Sequence, residues 1–392
     1  MRRALHEASV VGHLAARRLR ERLGAGRAAT PDVAAWRAQL EPWASSVATA
    51  AGGTSCFLDL PASRPPWTDT GIDLEPGQSV SAFAIGRVYL SRLLDVWVGP
   101  SFQLWFRVGE RGPVFRGTRD SHTFEAARGG RLWIASYFPG EWADPDGRLG
   151  TDPREYARAE GGLSVLMVRW PRGRDVAGLY AAWARDPRAP GPVRAEAERL
   201  AGAVAPPASW EYLWLLGQGE IYRPTVTPQG RPAIACHTHG DVGILRHEAR
   251  MPVAQDLTLD WAWRVDELPA DLPEDTLPSH DYLSIAVEFD DGQDITYYWS
   301  AALPEGTVYR CPLPTWRDRE THVVVRSGPA GLGRWHDERR NLADDYVRII
   351  GGQARQVVRI WLIANSLFQR GHGRCEYASI RLTTNERTLV VL

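Results

Sequence analysis

Between Leu257 and Trp299 the chain alternates apolar and polar residues in the manner of β-structure. Leu257, Leu259, Trp261, Trp263 and Val265 fall on one parity; Thr258, Asp260, Ala262 and Arg264 fall on the other. Leu283, Ile285, Val287 and Phe289 repeat the pattern. After Asp290-Asp291-Gly292-Gln293-Asp294, so do Ile295, Tyr297 and Trp299. A period of two puts each set on one face of a pleated strand, and an Asp-Asp-Gly turn between two such runs is hairpin chemistry. The polar parity then gathers Arg264, Tyr282, Glu288 and Tyr298 onto a common face opposite the core.

The same grammar extends in both directions. Val80–Val88, Ser101–Val108, Leu132–Phe138 and Leu163–Trp170 read as strands. Residues 1–53 are rich in Ala, Arg and Leu. Thr30-Pro31-Asp32 opens a helix, and Leu40, Trp43 and Val47 follow at helical spacing. Two short helical pieces, Asp175–Trp183 and Pro192–Ala203, lie between proline-rich breaks. Thr321–Tyr346 reads as a strand, a glycine turn (Gly328, Gly331, Gly333) and a charged, helix-like segment from Trp335 onward. The expected fold is mostly β: two jelly-roll-like antiparallel β-sandwiches with a helical N-terminal arm and a helical interdomain joint. The expected boundaries are an arm at 1–53, a lectin-like sandwich at 54–170, a connector at 171–209 and a second sandwich at 210–392.

Composition excludes several chemistries. Lysine is absent, so all 46 basic residues of the Lys+Arg count are arginine. That removes Schiff-base catalysis, a phosphate-loop lysine and a Ser-Lys dyad. The formal net charge of -1 gives no bulk attraction to nucleic acid or an anionic membrane. Cys56, Cys236, Cys311 and Cys375 are too widely spaced for a zinc knuckle or a disulfide framework. Arg17, Arg18, Arg20 and Arg22 interrupt any secretory apolar run, and no stretch reaches a membrane span of ~20 apolar residues. The expected setting is cytoplasmic. The Gly328/Gly331/Gly333 spacing sits among antiparallel strands and so lacks the strand–helix repeats of a dinucleotide site.

Two resemblances follow from motifs. Pro66-Trp67-Thr68-Asp69-Thr70-Gly71-Ile72-Asp73, then Pro76-Gly77-Gln78-Ser79-Val80, Ala84-Ile85-Gly86 and Gly129-Gly130-Arg131-Leu132-Trp133-Ile134, resemble the bacterial galactose-binding lectin-like jelly-roll domains over residues 57–170. That family's sugar site is a calcium site. Here Ser136-Tyr137-Phe138 and Ala159-Glu160-Gly161-Gly162 replace its Asn- and Asp-bearing segments, so no calcium is expected. Residues 210–385 resemble an uncharacterised bacterial domain family. The shared marks are Trp261-Ala262-Trp263-Arg264-Val265, Tyr298-Trp299-Ser300 and Arg326-Ser327-Gly328 with Leu332-Gly333-Arg334-Trp335, Glu338-Arg339 and Asp345-Tyr346. This second resemblance implies a jelly-roll-like sandwich and no defined activity.

The site expectations follow from these readings. Arg264, Tyr282, Glu288 and Tyr298 are the candidate ligand-binding residues, for a small molecule or glycan. Glu288, His280, Asp281 and Tyr298 are the acid–base candidates should the protein be an organic-cofactor-independent cyclase, isomerase or lyase. A structural or assembly role, with self-association through the N-terminal arm, is the third reading. No cofactor and no metal are expected; the closest approach to a metal set is His237, His239 and Asp241, where the two histidines would share a strand face.

Overall fold

The computed structural model describes residues 2–23, 32–64, 66–92 and 96–392. The chain divides into an N-terminal unit of residues 15–203 and 214–218 and a C-terminal unit of residues 1–14, 204–213 and 219–392.

The N-terminal unit is built around the strand Ser79–Ser91. It pairs antiparallel with Glu160–Arg169, which in turn pairs with Thr54–Pro61; Val96–Val98 and Ser121–Glu125 also pair with Ser79–Ser91. Trp67–Leu74, Gly130–Ser136 and Leu104–Val108 form a separate three-stranded sheet. At Gly86 φ is +134°, and a Cβ there would lie 2.2 Å from the Gly162 carbonyl oxygen. The Ala84-Ile85-Gly86 mark is therefore a close approach of neighbouring strands, Gly86 against Gly162, that only glycine permits. Helices cover the five-stranded sheet. Asp32 caps Val33–Pro42 by accepting from the Ala35 N–H at 2.9 Å. Trp36, Leu40 and Trp43 share a buried cluster with Phe83, Leu166, Val168 and Trp170 of the sheet. Tyr180 and Val193, from the helices Val176–Trp183 and Gly191–Gly202, complete that cluster. Both helical stretches thus belong to this unit's core.

The C-terminal unit is a sandwich of two sheets. The seven-stranded sheet runs Val308–Arg310, Glu320–Ser327, Asp294–Ser300, Tyr282–Phe289, Gln356–Asn365, Val242–Pro252, Glu211–Tyr212. The six-stranded sheet runs Tyr222–Val226, Pro232–His239, His372–Thr383, Thr258–Glu267, Trp335–Asn341, with Thr388–Val390 beside His372–Thr383. Leu259, Trp261, Trp263 and Val265 from one sheet meet Leu283, Ile285, Val287, Phe289, Ile295, Tyr297 and Trp299 from the other, as the alternation requires.

Two expectations are corrected. The segment from Trp335 is first a strand, Trp335–Asn341, and becomes helical only at Leu342–Ile349, where Asn341 caps by accepting from Asp344 N–H at 2.9 Å. A strand at the edge of a sheet carries charge to resist further pairing, and Asp337, Glu338, Arg339 and Arg340 serve that purpose, which made the segment read as a surface helix. The sandwich is also not wholly antiparallel: Asp294–Ser300 and Glu320–Ser327 pair in parallel. The connection between them, residues 301–319, must therefore return to the other end of the sheet, and this crossing segment does so past Glu320–Ser327, partly as the edge strand Val308–Arg310.

Candidate metal centre

The crossing segment places a cysteine beside two histidines and a carboxylate. Cys311 follows the edge strand Val308–Arg310, and its N–H donates to the Glu320 carbonyl at 3.0 Å. Glu320 and His322 stand two residues apart on Glu320–Ser327 and so share a face. His280 enters from the loop before Tyr282–Phe289; its carbonyl accepts from Asn365 Nδ2 at 2.7 Å. His280, Cys311, Glu320 and His322 each offer one ligating atom, and these atoms all lie within 4.8 Å of one another. Among the described residues, this is the group of metal-ligating side chains that the fold brings together. All four residues are buried, three of them with no exposed surface and Glu320 at 4%.

The donor chemistry suits a cation. His280 Nδ1 lies 2.7 Å from the Glu274 carbonyl oxygen. Because a carbonyl can only accept, Nδ1 carries the proton and Nε2 keeps its lone pair, facing Cys311 Sγ at 3.5 Å. A ring nitrogen donating to a carbonyl while the other faces the ion is the outer-shell arrangement of metal-bound histidine. Burial, then the neighbouring His322, lowers the His280 pKa to about 3, leaving it in the neutral, ligating form. His322 Nε2 lies 3.4 Å from Glu320 Oε1, yet neither ring nitrogen of His322 has a hydrogen-bond partner. A buried polar atom left this way costs about 1–3 kcal/mol, and a coordinate bond removes that cost at the one nitrogen that binds the ion. In a tetrahedral site with bonds of ~2.0–2.3 Å, neighbouring donors stand ~3.3–3.8 Å apart. The 3.5 Å and 3.4 Å separations are already of that size.

The electrostatics agree. Burial by itself would raise the Glu320 carboxyl, but the His322 ring beside it, then His280 and the Cys311 thiol, outweigh burial and hold it below its ordinary value; the Tyr282 and Thr296 hydroxyls also donate to Oε1 at 3.3 and 3.1 Å. Burial and then the Glu320 charge push the Cys311 thiol up. A divalent cation reverses that, because a coordinating thiol gives up its proton. The walls are aromatic. The Tyr309 ring stacks on His322 at 5.1 Å and 8°, Tyr282 meets it edge-on at 4.9 Å, and the Tyr309 hydroxyl donates to the Tyr298 hydroxyl at 3.0 Å.

The residues singled out from sequence divide. His280 belongs to the centre, and Tyr282 and Tyr298 belong to its wall. Glu288 lies on the same sheet face but is held elsewhere, accepting from Arg359 Nη1 at 3.0 Å and from Trp361 Nε1 at 3.1 Å. Asp281 holds the Phe368 and Gln369 backbone N–H groups at 3.0 and 2.6 Å, which anchors a loop. Arg264 is not on this face at all. It stands on the six-stranded sheet, paired with Asp266 at 3.0 Å and Glu376 at 3.3 Å. The shared face is therefore corrected to Tyr282, Glu288 and Tyr298, and it is buried rather than open. His237 and His239 do share a face, as expected, and Asp241 is buried beside them. Cys311, Glu320 and His322 were not anticipated. The one available signal was Glu320-x-His322 on an alternating strand, with a cysteine shortly before it.

At the positions of the lectin-like family's calcium segments, Tyr137 stacks on Tyr156 at 5.2 Å and meets Trp142 at 4.3 Å. An aromatic cluster fills the place.

The molecule is thus a mostly-β protein of two sandwich units, the second carrying a buried His/Cys/Glu/His centre. Residues 208–381 match the family model described as "Protein of unknown function (DUF3047)". No curated protein matches the chain. Solved structures with some likeness include the xyloglucanase domain of NopAA from Sinorhizobium fredii in complex with cellobiose, at 7% identity and TM-score 0.28, covering 41% of this chain and 86% of that one. The EclA N-terminal domain, a PllA-like lectin, matches at 16% identity and TM-score 0.20, covering 29% and 94%. A mutant of ENZbleach xylanase matches at 12% identity and TM-score 0.25, covering 48% and 87%. These neighbours are carbohydrate-active or lectin-like proteins; at such low scores none bears on this chain's chemistry.

Proposed function

We propose that the C-terminal unit binds one divalent transition-metal ion of the zinc class through His280, Cys311, Glu320 and His322, and that the ion ties the crossing segment and the His280 loop to the seven-stranded sheet. The observation that carries this reading is the convergence of four buried donors: His322, whose Nε2 faces Glu320 Oε1 at 3.4 Å without a well-formed hydrogen bond, with a cysteine, that carboxylate and a second imidazole of fixed tautomer. A thiolate with two imidazoles and a carboxylate suits zinc or a neighbouring first-row ion better than calcium or magnesium. Four protein donors make a closed centre, the structural type, whereas a catalytic one keeps a position for water or substrate. The test is metal content after exhaustive dialysis, followed by cobalt substitution. The wild type should hold one tightly bound equivalent with a thiolate-to-cobalt absorption band, and Cys311→Ser should lose the band. Cobalt uptake with no such band would sink the assignment.

A second reading, recognition of a glycan or other small molecule, is favoured by one surface of the N-terminal unit. On the three-stranded sheet the Arg107 guanidinium lies 4.1 Å over the Trp67 ring and 5.6 Å from Trp133, all three half-buried. Beside them Arg131 pairs with Asp69 at 3.3 Å and Asp73 at 3.1 Å. Flat rings flanked by directional charges are the usual elements of a small-molecule site. Trp133→Ala should abolish binding of any oligosaccharide that a glycan array identifies; retained binding would remove this surface from consideration.

A further inference from the structure

The six-stranded sheet carries a second constellation, on the outer side of the sandwich. His239 and His372 are directly opposed across the pair Pro232–His239 and His372–Thr383, and His237 lies two residues along the same face. All three side chains are exposed, while Thr238 between them is fully buried. The ring centroids lie 5.3 Å (His237–His239), 6.1 Å (His237–His372) and 6.2 Å (His239–His372) apart. Three imidazoles bound to one ion at ~2.0–2.1 Å have centroids about 5–6 Å apart; here the rings lie stacked or tilted, 24–35° between planes, so each must turn for its nitrogen to meet a shared ion. The cross-strand and i, i+2 relations hold that spacing by backbone geometry, so only side-chain torsions need adjust, and histidine χ2 is a soft torsion.

The surroundings suit a cation. Asp241 is buried, and its Oδ1 accepts from the Thr238 hydroxyl and, at 2.9 Å, from the His239 N–H. Its Oδ2 lies 3.6 Å from His239 Nδ1. The carboxylate sets a buried negative charge beside the His239 ring. The neighbouring charges are Arg374, itself paired with Glu267 at 3.1 Å, and Asp241.

We propose that His237, His239 and His372 form a second metal site, solvent-facing and independent of the buried centre, that takes a divalent imidazole-loving cation such as zinc, nickel or copper(II). Three protein donors leave at least one coordination position to water or an exchangeable ligand, the open type of site.

The test is calorimetric titration of metal-stripped, full-length protein with Zn²⁺, with stoichiometry confirmed by elemental analysis. Wild type should take up two equivalents in two affinity classes. His239→Ala/His372→Ala, at exposed positions where folding is checked by circular dichroism, should lose the weaker class alone and keep the cobalt–thiolate band. Cys311→Ser should perturb the tighter class and leave the weaker one. A double variant that still binds as many equivalents as wild type overturns the surface site. So does a wild type with a single class that Cys311→Ser removes. Loss of the tight class in wild type, with the weaker class present, would instead contradict the buried centre and leave this site standing, so the two readings fail separately.

Discussion

Stripping zinc from the protein with a chelator is expected to destabilise the C-terminal unit by about 4 kcal/mol, when the loaded sample is held at a thousandfold excess of free ion over its Kd. The ion binds four groups that converge only in the folded state: His280 from a loop, Cys311 from the crossing segment, Glu320 and His322 from a strand. Binding free energy at such a site is folding free energy. His322→Phe separates this account from simple packing. Phenylalanine fills a similar volume and can stack on Tyr309 as the imidazole does. If His322 served only to pack and to neighbour the buried Glu320 carboxylate, 3.4 Å away, its loss would cost stability equally with and without zinc and would leave any response to chelation intact. If it is a ligand, His322→Phe should lower the melting temperature of the zinc-loaded protein and abolish the response to chelation. The readout is calorimetry that resolves two transitions, because a two-unit chain need not unfold in one step. The transition of the N-terminal unit serves as the internal control. A zinc-loaded His322→Phe protein as stable as wild type would refute the structural role.

The second large effect belongs to the N-terminal unit. Glu196 has no exposed surface and accepts from Arg199 Nε at 2.8 Å, Arg199 Nη2 at 2.7 Å and the Ser121 hydroxyl at 2.6 Å. Breaking a buried pair by removing one partner costs about 3–5 kcal/mol. Arg199→Met should cost that much in a urea melt, and the double variant Arg199→Met/Glu196→Leu should recover most of it. A single variant within 1 kcal/mol of wild type, roughly what an exposed pair would show, would contradict the burial.

The pH dependence has a definite sign. Burial alone would raise the Glu196 carboxyl, but Arg199 and Ser121 outweigh it and hold it below its ordinary value. Its contribution is complete above the ordinary carboxylate range and is lost as pH falls through the lowered value. Burial, then the charge of Arg199, lowers His122 to about 4 from an ordinary 6.5. Between those values the unfolded chain binds a proton that the folded unit refuses, so stability falls as pH drops from 6.5 toward 4. Both groups act in the same direction, whereas the Asp120 and Glu141 carboxyls, which burial raises, act in the opposite one; His122 dominates above the carboxylate range, so the N-terminal unit should weaken as pH falls from about 6.5, and less so in His122→Asn. A flat stability profile from pH 7 to 4 would contradict this.

Much of the architecture was legible because side-chain parity is a property of one strand. Leu283, Ile285, Val287 and Phe289 could be assigned to the core without knowing any neighbour. Parity does not say which sheet a strand joins, and that is why Arg264 was grouped with Tyr282 and Tyr298. In a two-sheet sandwich the polar parities of opposed sheets point outward in opposite directions, so equal patterning places residues on opposite surfaces. The charge of Asp337–Arg340 was misread as helical for a related reason: solvated helices and guarded edge strands share a composition. The centre was the least legible element. Cys311 and His280 come from irregular segments with no period, and they reach Glu320 and His322 only through the parallel pairing of Asp294–Ser300 with Glu320–Ser327. No local rule forecasts that crossover, although Glu320-x-His322 on a buried strand was a visible pair of donors.

The central claim is that one sulfur, two imidazoles and one carboxylate bind a single ion. X-ray absorption at the zinc edge, on His239→Ala/His372→Ala protein carrying one equivalent, addresses it directly. The account predicts one sulfur scatterer at ~2.3 Å and three nitrogen or oxygen scatterers at ~2.0–2.2 Å, with imidazole outer-shell scattering. A first shell without sulfur, or with six oxygen-type ligands, would contradict it.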